Sequence, residues 1–155
     1  MNTATRQRIV VGVDGSAGSR TALAWAVWQA ELTGAGLEAV CVGQDLTMFS
    51  HGLGDVPPPH AGEDLAAVGQ KTLDRSIEAV TAGRGHPFEV TTRVETGRAA
   101  EILPKLAGGA LMLVVGSRGH GAFAGMLLGS VSQHCIQHSS CPVVVVPLSE
   151  AAVSA

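Results

Sequence analysis

Leu111-Met112-Leu113-Val114-Val115 runs directly into Gly116-Ser117-Arg118-Gly119, so an apolar segment of strand length gives way to a glycine turn. Five consecutive apolar residues leave no polar face, the pattern of a strand covered on both sides and hence of a parallel sheet. Nine residues separate Gly119 from Gly129-Ser130-Val131-Ser132-Gln133, which reads as a capped helix N-terminus. Strand, glycine turn and helix start in that order suit an anion. Glycines let backbone N–H groups come close to a ligand, and the helix end adds unpaired donors and the positive pole of its dipole. Between Lys105 and Glu150 the only formally charged side chain is Arg118, inside the glycine segment.

Outward from this stretch, strand-like and helix-like segments alternate to both ends. Arg8 to Asp14 contains the β-branched run Ile9-Val10-Val11-Gly12-Val13, and Gly18 to Leu32 follows as an Ala-rich helix closed by Gly34 and Gly36. Leu37 to Val42 is a second strand. Residues 43 to 62 form a loop with Pro57-Pro58-Pro59, His51 and His60, too long for a simple strand-to-helix turn. A helix over Glu63 to Val80 comes next, weakened by Gly69. Then come a strand over Phe88 to Val94 and a helix over Arg98 to Leu106, which Pro104 must kink or end early. Leu111 to Gly116, Ser130 to about His138 and Pro142 to Val146 complete a βαβαβαβαβ order. Strands joined by helices run parallel with right-handed crossovers. In a sheet of order 3-2-1-4-5 the ligand crevice lies at the carboxyl ends where the winding reverses, with Asp14 and Gly116 facing across it.

The chain has 155 residues, 46% hydrophobic and 15% charged, with 20 glycines and a net charge of −3. The length suits one domain, 1–155, with its core over about 8–147. With aromatics at 3%, the core must be Ala, Val, Leu and Ile, which favours α/β architecture. No Lys/Arg cluster interleaved with aromatics appears, which argues against nucleic acid and anionic membranes as partners. No apolar run approaches the roughly 20 residues of a membrane span, and residues 1–6 carry no signal-peptide pattern, so a cytoplasmic protein is expected. Cys41, Cys135 and Cys141 read as free, mostly buried thiols without a disulfide.

Several residues carry two readings. Asp14 fits a ribose ligand or a helix cap beside Ser16. The glycine cluster, Gly121 and Gly125 included, fits an anion cradle or a plain loop, and Arg118 a phosphate clamp or a solvated side chain. His134 and His138, near Cys135 and Cys141, invite a zinc reading, which the missing C-x-x-C weakens. Trp25 and Trp28 are expected to pack the first helix against the sheet or a neighbour.

Val11-Gly12-Val13-Asp14-Gly15-Ser16, the spacing Gly116-x2-Gly119-x9-Gly129-Ser130 and Cys141-Pro142-Val143-Val144-Val145-Val146-Pro147 together resemble the nucleotide-binding universal stress proteins. The resemblance implies a Rossmann-like, adenine nucleotide alpha hydrolase-like three-layer sandwich with a five-stranded parallel sheet, and ATP as cofactor, with Mg2+ admitted. By that resemblance Gly12, Val13 and Asp14 would hold the adenosine end and the Val42 main chain would meet adenine. Gly116, Arg118 and Gly119 would wrap ribose and phosphates, and Gly129, Ser130, Val131 and Ser132 would receive the β and γ phosphates. It further implies a homodimer through the C-terminal strand Val143 to Val146. The chain departs from the pattern at Gly109-Ala110-Leu111 and at Glu95-Thr96-Gly97-Arg98, both outside the cradle. The expected role is a nucleotide-dependent regulatory module of the stress response. Catalysis has no visible machinery: no Walker A lysine follows the glycines, and neither G-x-G-x-x-G nor a pyrophosphatase-type loop appears at residues 11–16. A slow ATP hydrolase or phosphotransferase and a dimeric scaffold without nucleotide stay open as alternatives. Since Gly116 would owe its lack of a side chain to the ligand, a larger residue there is expected to abolish nucleotide retention and spare the fold.

Overall fold

The computed structural model describes residues 7–43, 64–85, 87–119 and 127–148. Nearly all of the expected 43–62 loop, with His51 and His60, lies outside the described residues, as do Gly121 and Gly125. Strands β1 (Arg8–Gly12), β2 (Gly36–Gly43), β3 (Thr91–Thr96), β4 (Met112–Gly116) and β5 (Val143–Val146) alternate with helices α1 (Ala17–Thr33), α2 (Leu65–Thr81), α3 (Ala99–Leu106) and α4 (Ser130–His138). The sheet has the order β3-β2-β1-β4-β5, and every adjacent pair is parallel.

Alternation along β1 builds two cores. Ile9, Val11 and Val13 turn to one face, where they meet Leu23 and Ala26 of α1 and Leu73 of α2. Val10 turns to the other, with Leu113 and Val115 of β4, Leu103 of α3 and Cys135 of α4. Ile9, Val10 and Val11 are all fully buried. Their unbroken apolar run is therefore the signature of helices on both faces. α1 starts on Ser16, whose hydroxyl accepts from the Ser19 N–H, and ends at Gly34 in the left-handed conformation. α2 starts on Asp64, whose carboxylate accepts from the Ala66 and Ala67 N–H groups.

Two strand limits need correction. β1 stops at Gly12 rather than Asp14, although the Val13 N–H still donates to the Val40 carbonyl at 2.8 Å. β3 begins three residues later than the alternation suggests. Phe88 and Val90 pack on the core, while pairing with β2 starts at Thr91 opposite Glu38. Of the tryptophans, Trp25 packs against the core but Trp28 is 52% exposed. Pro104 sits within α3, which continues only two residues past it. Gly69, a weakness for a helix taken alone, lets α2 approach β3: a methyl there would stand 2.5 Å from Val94 Cγ1.

The cysteines are free, Cys41 and Cys135 buried and Cys141 partly so. Burial, and secondarily the neighbouring Cys141, pushes the Cys135 thiol up to about 11. The folded state thus keeps this proton where the unfolded chain releases it. Its contribution to stability is complete below the ordinary thiol range and is lost as pH rises through about 11. Thermal unfolding from pH 8 to 11 should therefore show a downward slope that is shallower in Cys135→Ala. Identical slopes would contradict this linkage.

Candidate functional site

Gly12, Val13, Asp14, Val42, Gly116, Arg118, Gly119, Gly129, Ser130, Val131 and Ser132 all line one cavity of about 270 Å3. It lies where β1, β2 and β4 end and α4 begins. This is the carboxyl side of the sheet, at the reversal between β1 and β4, where open α/β sheets hold ligands. Ser19, Val40, Ala99, Leu103 and Val115 complete the wall. None of the five was anticipated: the four apolar ones, in buried strands and on a helix face, read as core, and Ser19 read as an ordinary residue of the first helix. The available signal was position: Val40 precedes Val42 by one strand repeat, and Val115 immediately precedes Gly116.

Asp14 works at the start of α1 and also lines the cavity. Its Oδ1 accepts from the Ser16 N–H at 2.9 Å and from the Ser16 hydroxyl, and its own N–H donates to Ser19 Oγ at 3.2 Å. The carboxylate thus braces the start of α1. Its second oxygen faces Gly119, where a methyl group would stand 2.6 Å from Oδ2. The charge also reaches β2: burial first, and then the Asp14 carboxylate, holds the Cys41 thiol above its ordinary value.

At the start of α4 the structure departs from the expected capped terminus. The N-cap is Gly129, and no side chain caps the helix. The Gly129 N–H donates to the Ser117 carbonyl at 2.6 Å, and the Gln133 N–H closes the first intrahelical bond onto Gly129. The Ser132 hydroxyl lies within reach of the carbonyls of Gly129, at 2.9 Å, and Ser117, at 3.3 Å, so it ties the helix start to the turn. Ser130, Val131 and Ser132 occupy the first turn, whose N–H groups have no helical carbonyl to reach. All three line the cavity. An uncapped helix start on a concave wall can accept an anion through backbone donors and the helix dipole.

Gly116 lines the cavity and also meets α1. A methyl group on it would stand 2.8 Å from the Gly18 carbonyl oxygen, and one on Gly18 would stand 2.3 Å from the Arg118 carbonyl oxygen. The two glycines let the first turn of α1 pack backbone to backbone against the end of β4. A larger residue at Gly116 therefore pushes against α1, and the expectation of an intact fold is withdrawn. Arg118 lines the cavity, and among the described residues no carboxylate pairs with it.

His134 and His138 stack with ring centroids 4.1 Å apart, while Cys135 of the same helix is fully buried in the core. Among the described residues no group of three or more His, Cys, Asp or Glu side chains assembles to hold a metal. Among them, too, no helix is long and apolar enough to cross a membrane.

Strand order, layering and the crevice at the reversal define a doubly wound, Rossmann-like α/β protein. The chain belongs to the universal stress protein family, whose sequence profile matches residues 5–147. It is 36% identical over 143 residues to a universal stress protein of Mycolicibacterium smegmatis, covering 92% of this chain and 46% of that one. The chain spans about half the length of the curated relatives it matches. A crystal structure of a universal stress protein in complex with cAMP is 28% identical, with a TM-score of 0.61 and coverage of 90% and 96% of the two chains. A universal stress protein from Archaeoglobus fulgidus in complex with dAMP has the same fold, at 21% identity, TM-score 0.61 and coverage of 90% and 97%.

Proposed function

We propose that the cavity binds ATP and that the protein is a nucleotide-dependent regulatory module of the stress response, in which occupancy selects a conformation or a partner. The observation that carries this reading is the meeting of an uncapped α4 start, a glycine turn bearing Arg118 and the Asp14 carboxylate on one concave wall. Apolar Val40, Val42, Ala99 and Leu103 offer a surface for adenine, and Asp14 an acceptor for ribose hydroxyls. The N–H groups of Ser130, Val131 and Ser132 would meet the terminal phosphates, with the Arg118 guanidinium as counter-charge. Mg2+ would arrive on the phosphate oxygens, since the described residues offer no carboxylate cage. The structure of a relative with cAMP supports an adenine nucleotide as the ligand class.

A second copy would pair through β5, which forms an edge of the sheet and carries Val143, Val144 and Val145 only partly buried. One such unit, about 8–147, would suffice for nucleotide binding. Native mass spectrometry of freshly purified protein tests both points, with a dimer carrying ATP as the expected species. Bound ADP with many turnovers per protein would make it a hydrolase instead. No nucleotide, together with no ATP binding in an equilibrium titration, would sink the reading.

A further inference from the structure

We propose that the groove between α1 and α2 is a second anion site, separate from the cavity at the strand ends, which takes a small oligophosphate. The groove measures about 400 Å3, and Arg20, Lys71 and Arg75 line it. No carboxylate is part of the lining, and among the described residues none of the three cations forms an ion pair. On α2, Val68, Lys71, Thr72, Arg75, Ser76 and Ala79 all face the groove. Their spacing of three and four residues makes one helical stripe, which sets Lys71 and Arg75 a turn apart on the same face. Like charges at that spacing repel, which a bound anion would relieve. The chain holds ten Lys and Arg and a net charge of −3, so three cations on one groove are a local concentration against the overall sign. The acidic Asp74 beside them is occupied by Gln70, whose side-chain amide donates to it at 2.8 Å.

The chemistry of the lining selects the ligand. No aromatic residue and few apolar ones line the groove, so nothing there would hold a base or an apolar side chain. Two guanidinium groups and an ammonium instead match the oxygens of a short phosphate chain, while the Thr72 hydroxyl is held by the Val68 carbonyl at 3.0 Å. Arg20 is oriented by the Gly15 carbonyl, to which its Nη1 donates at 2.9 Å. Gly15 lines this groove, whereas its neighbour Asp14 lines the first cavity. One turn therefore forms a wall of both, and occupancy of the groove would be felt at Asp14.

Titration of the 15N-labelled chain with sodium tripolyphosphate, followed by two-dimensional NMR, tests the proposal. The expected result is saturable movement of the amides of Gly15, Arg20 and residues 71–76. Lys71→Gln combined with Arg75→Gln should weaken binding by about tenfold or more. Added salt should weaken it further. Both substitutions fall on exposed positions, and circular dichroism would verify the fold of the variant. Movement confined to residues 116–119 and 129–132, shifts that never saturate, or unchanged affinity in the double variant would overturn it. A phosphoserine peptide that binds tighter than tripolyphosphate would overturn the choice of ligand.

Discussion

Gly18→Ala is expected to destabilise the protein by about 2–3 kcal/mol and lower its melting temperature by roughly 5–10 °C. Helix propensity alone points the other way, because alanine is favoured over glycine within a helix by about 1 kcal/mol. The steric term decides, since the added methyl would stand 2.3 Å from the Arg118 carbonyl oxygen, which belongs to backbone and cannot rotate aside. Either α1 lifts from the sheet or the 116–119 turn retreats. Gly116→Ala strains the same contact from the other side, with its methyl 2.8 Å from the Gly18 carbonyl oxygen. One displacement relieves both, so the double variant should cost less than the sum of the singles. Calorimetric unfolding of the three variants measures this, and a Gly18→Ala protein as stable as the parent would refute the packing account.

Ser130→Glu should separate stability from ligand affinity. Ser130 is exposed and is the first residue of α4, where a carboxylate interacts favourably with the helix dipole by about 0.3–1 kcal/mol. The melting temperature should hold or rise slightly. The same carboxylate would stand where the proposed polyphosphate is received, and repulsion of about 2 kcal/mol at a partly solvated site corresponds to roughly 30-fold weaker ATP binding. Ser130→Ala, which adds no charge, should bind within a few-fold of the parent. Equal affinity for ATP in the glutamate variant would remove the α4 start from the phosphate site, whatever else the cavity binds.

The alternation of strands and helices was legible because each segment's burial demands its own pattern. Ile9-Val10-Val11 can sit only between two helical layers, and Leu23, Val27 and Ala30 recur at helical spacing. Strand limits were less legible, since hydrogen bonding and packing need not coincide. Phe88 and Val90 alternate because they cover the core, yet pairing waits until Thr91 reaches Glu38. In the cavity, the glycines, Asp14 and Arg118 stood out because such residues are conspicuous beside buried strands. Ala99, Leu103 and Val115 did not, because an apolar wall and an apolar core use the same side chains. The roles of Gly18 and Gly116 depend on which backbones meet in space. Gly18 and Arg118 lie a hundred residues apart, and no local pattern announces their contact.

The helix whose first turn rests on Arg118 also carries the chain's two tryptophans, Trp25 and Trp28. Their rings meet edge to face with centroids 6.2 Å apart, one against the core and the other 52% exposed. At about 1.5 Å of rise per residue, Trp25 lies only some 10 Å along the axis from Gly18. Any tilt of α1 set off at that contact therefore alters the surroundings of a partly buried indole and an exposed one together, so the molecule carries a built-in fluorescent gauge readable without a dye.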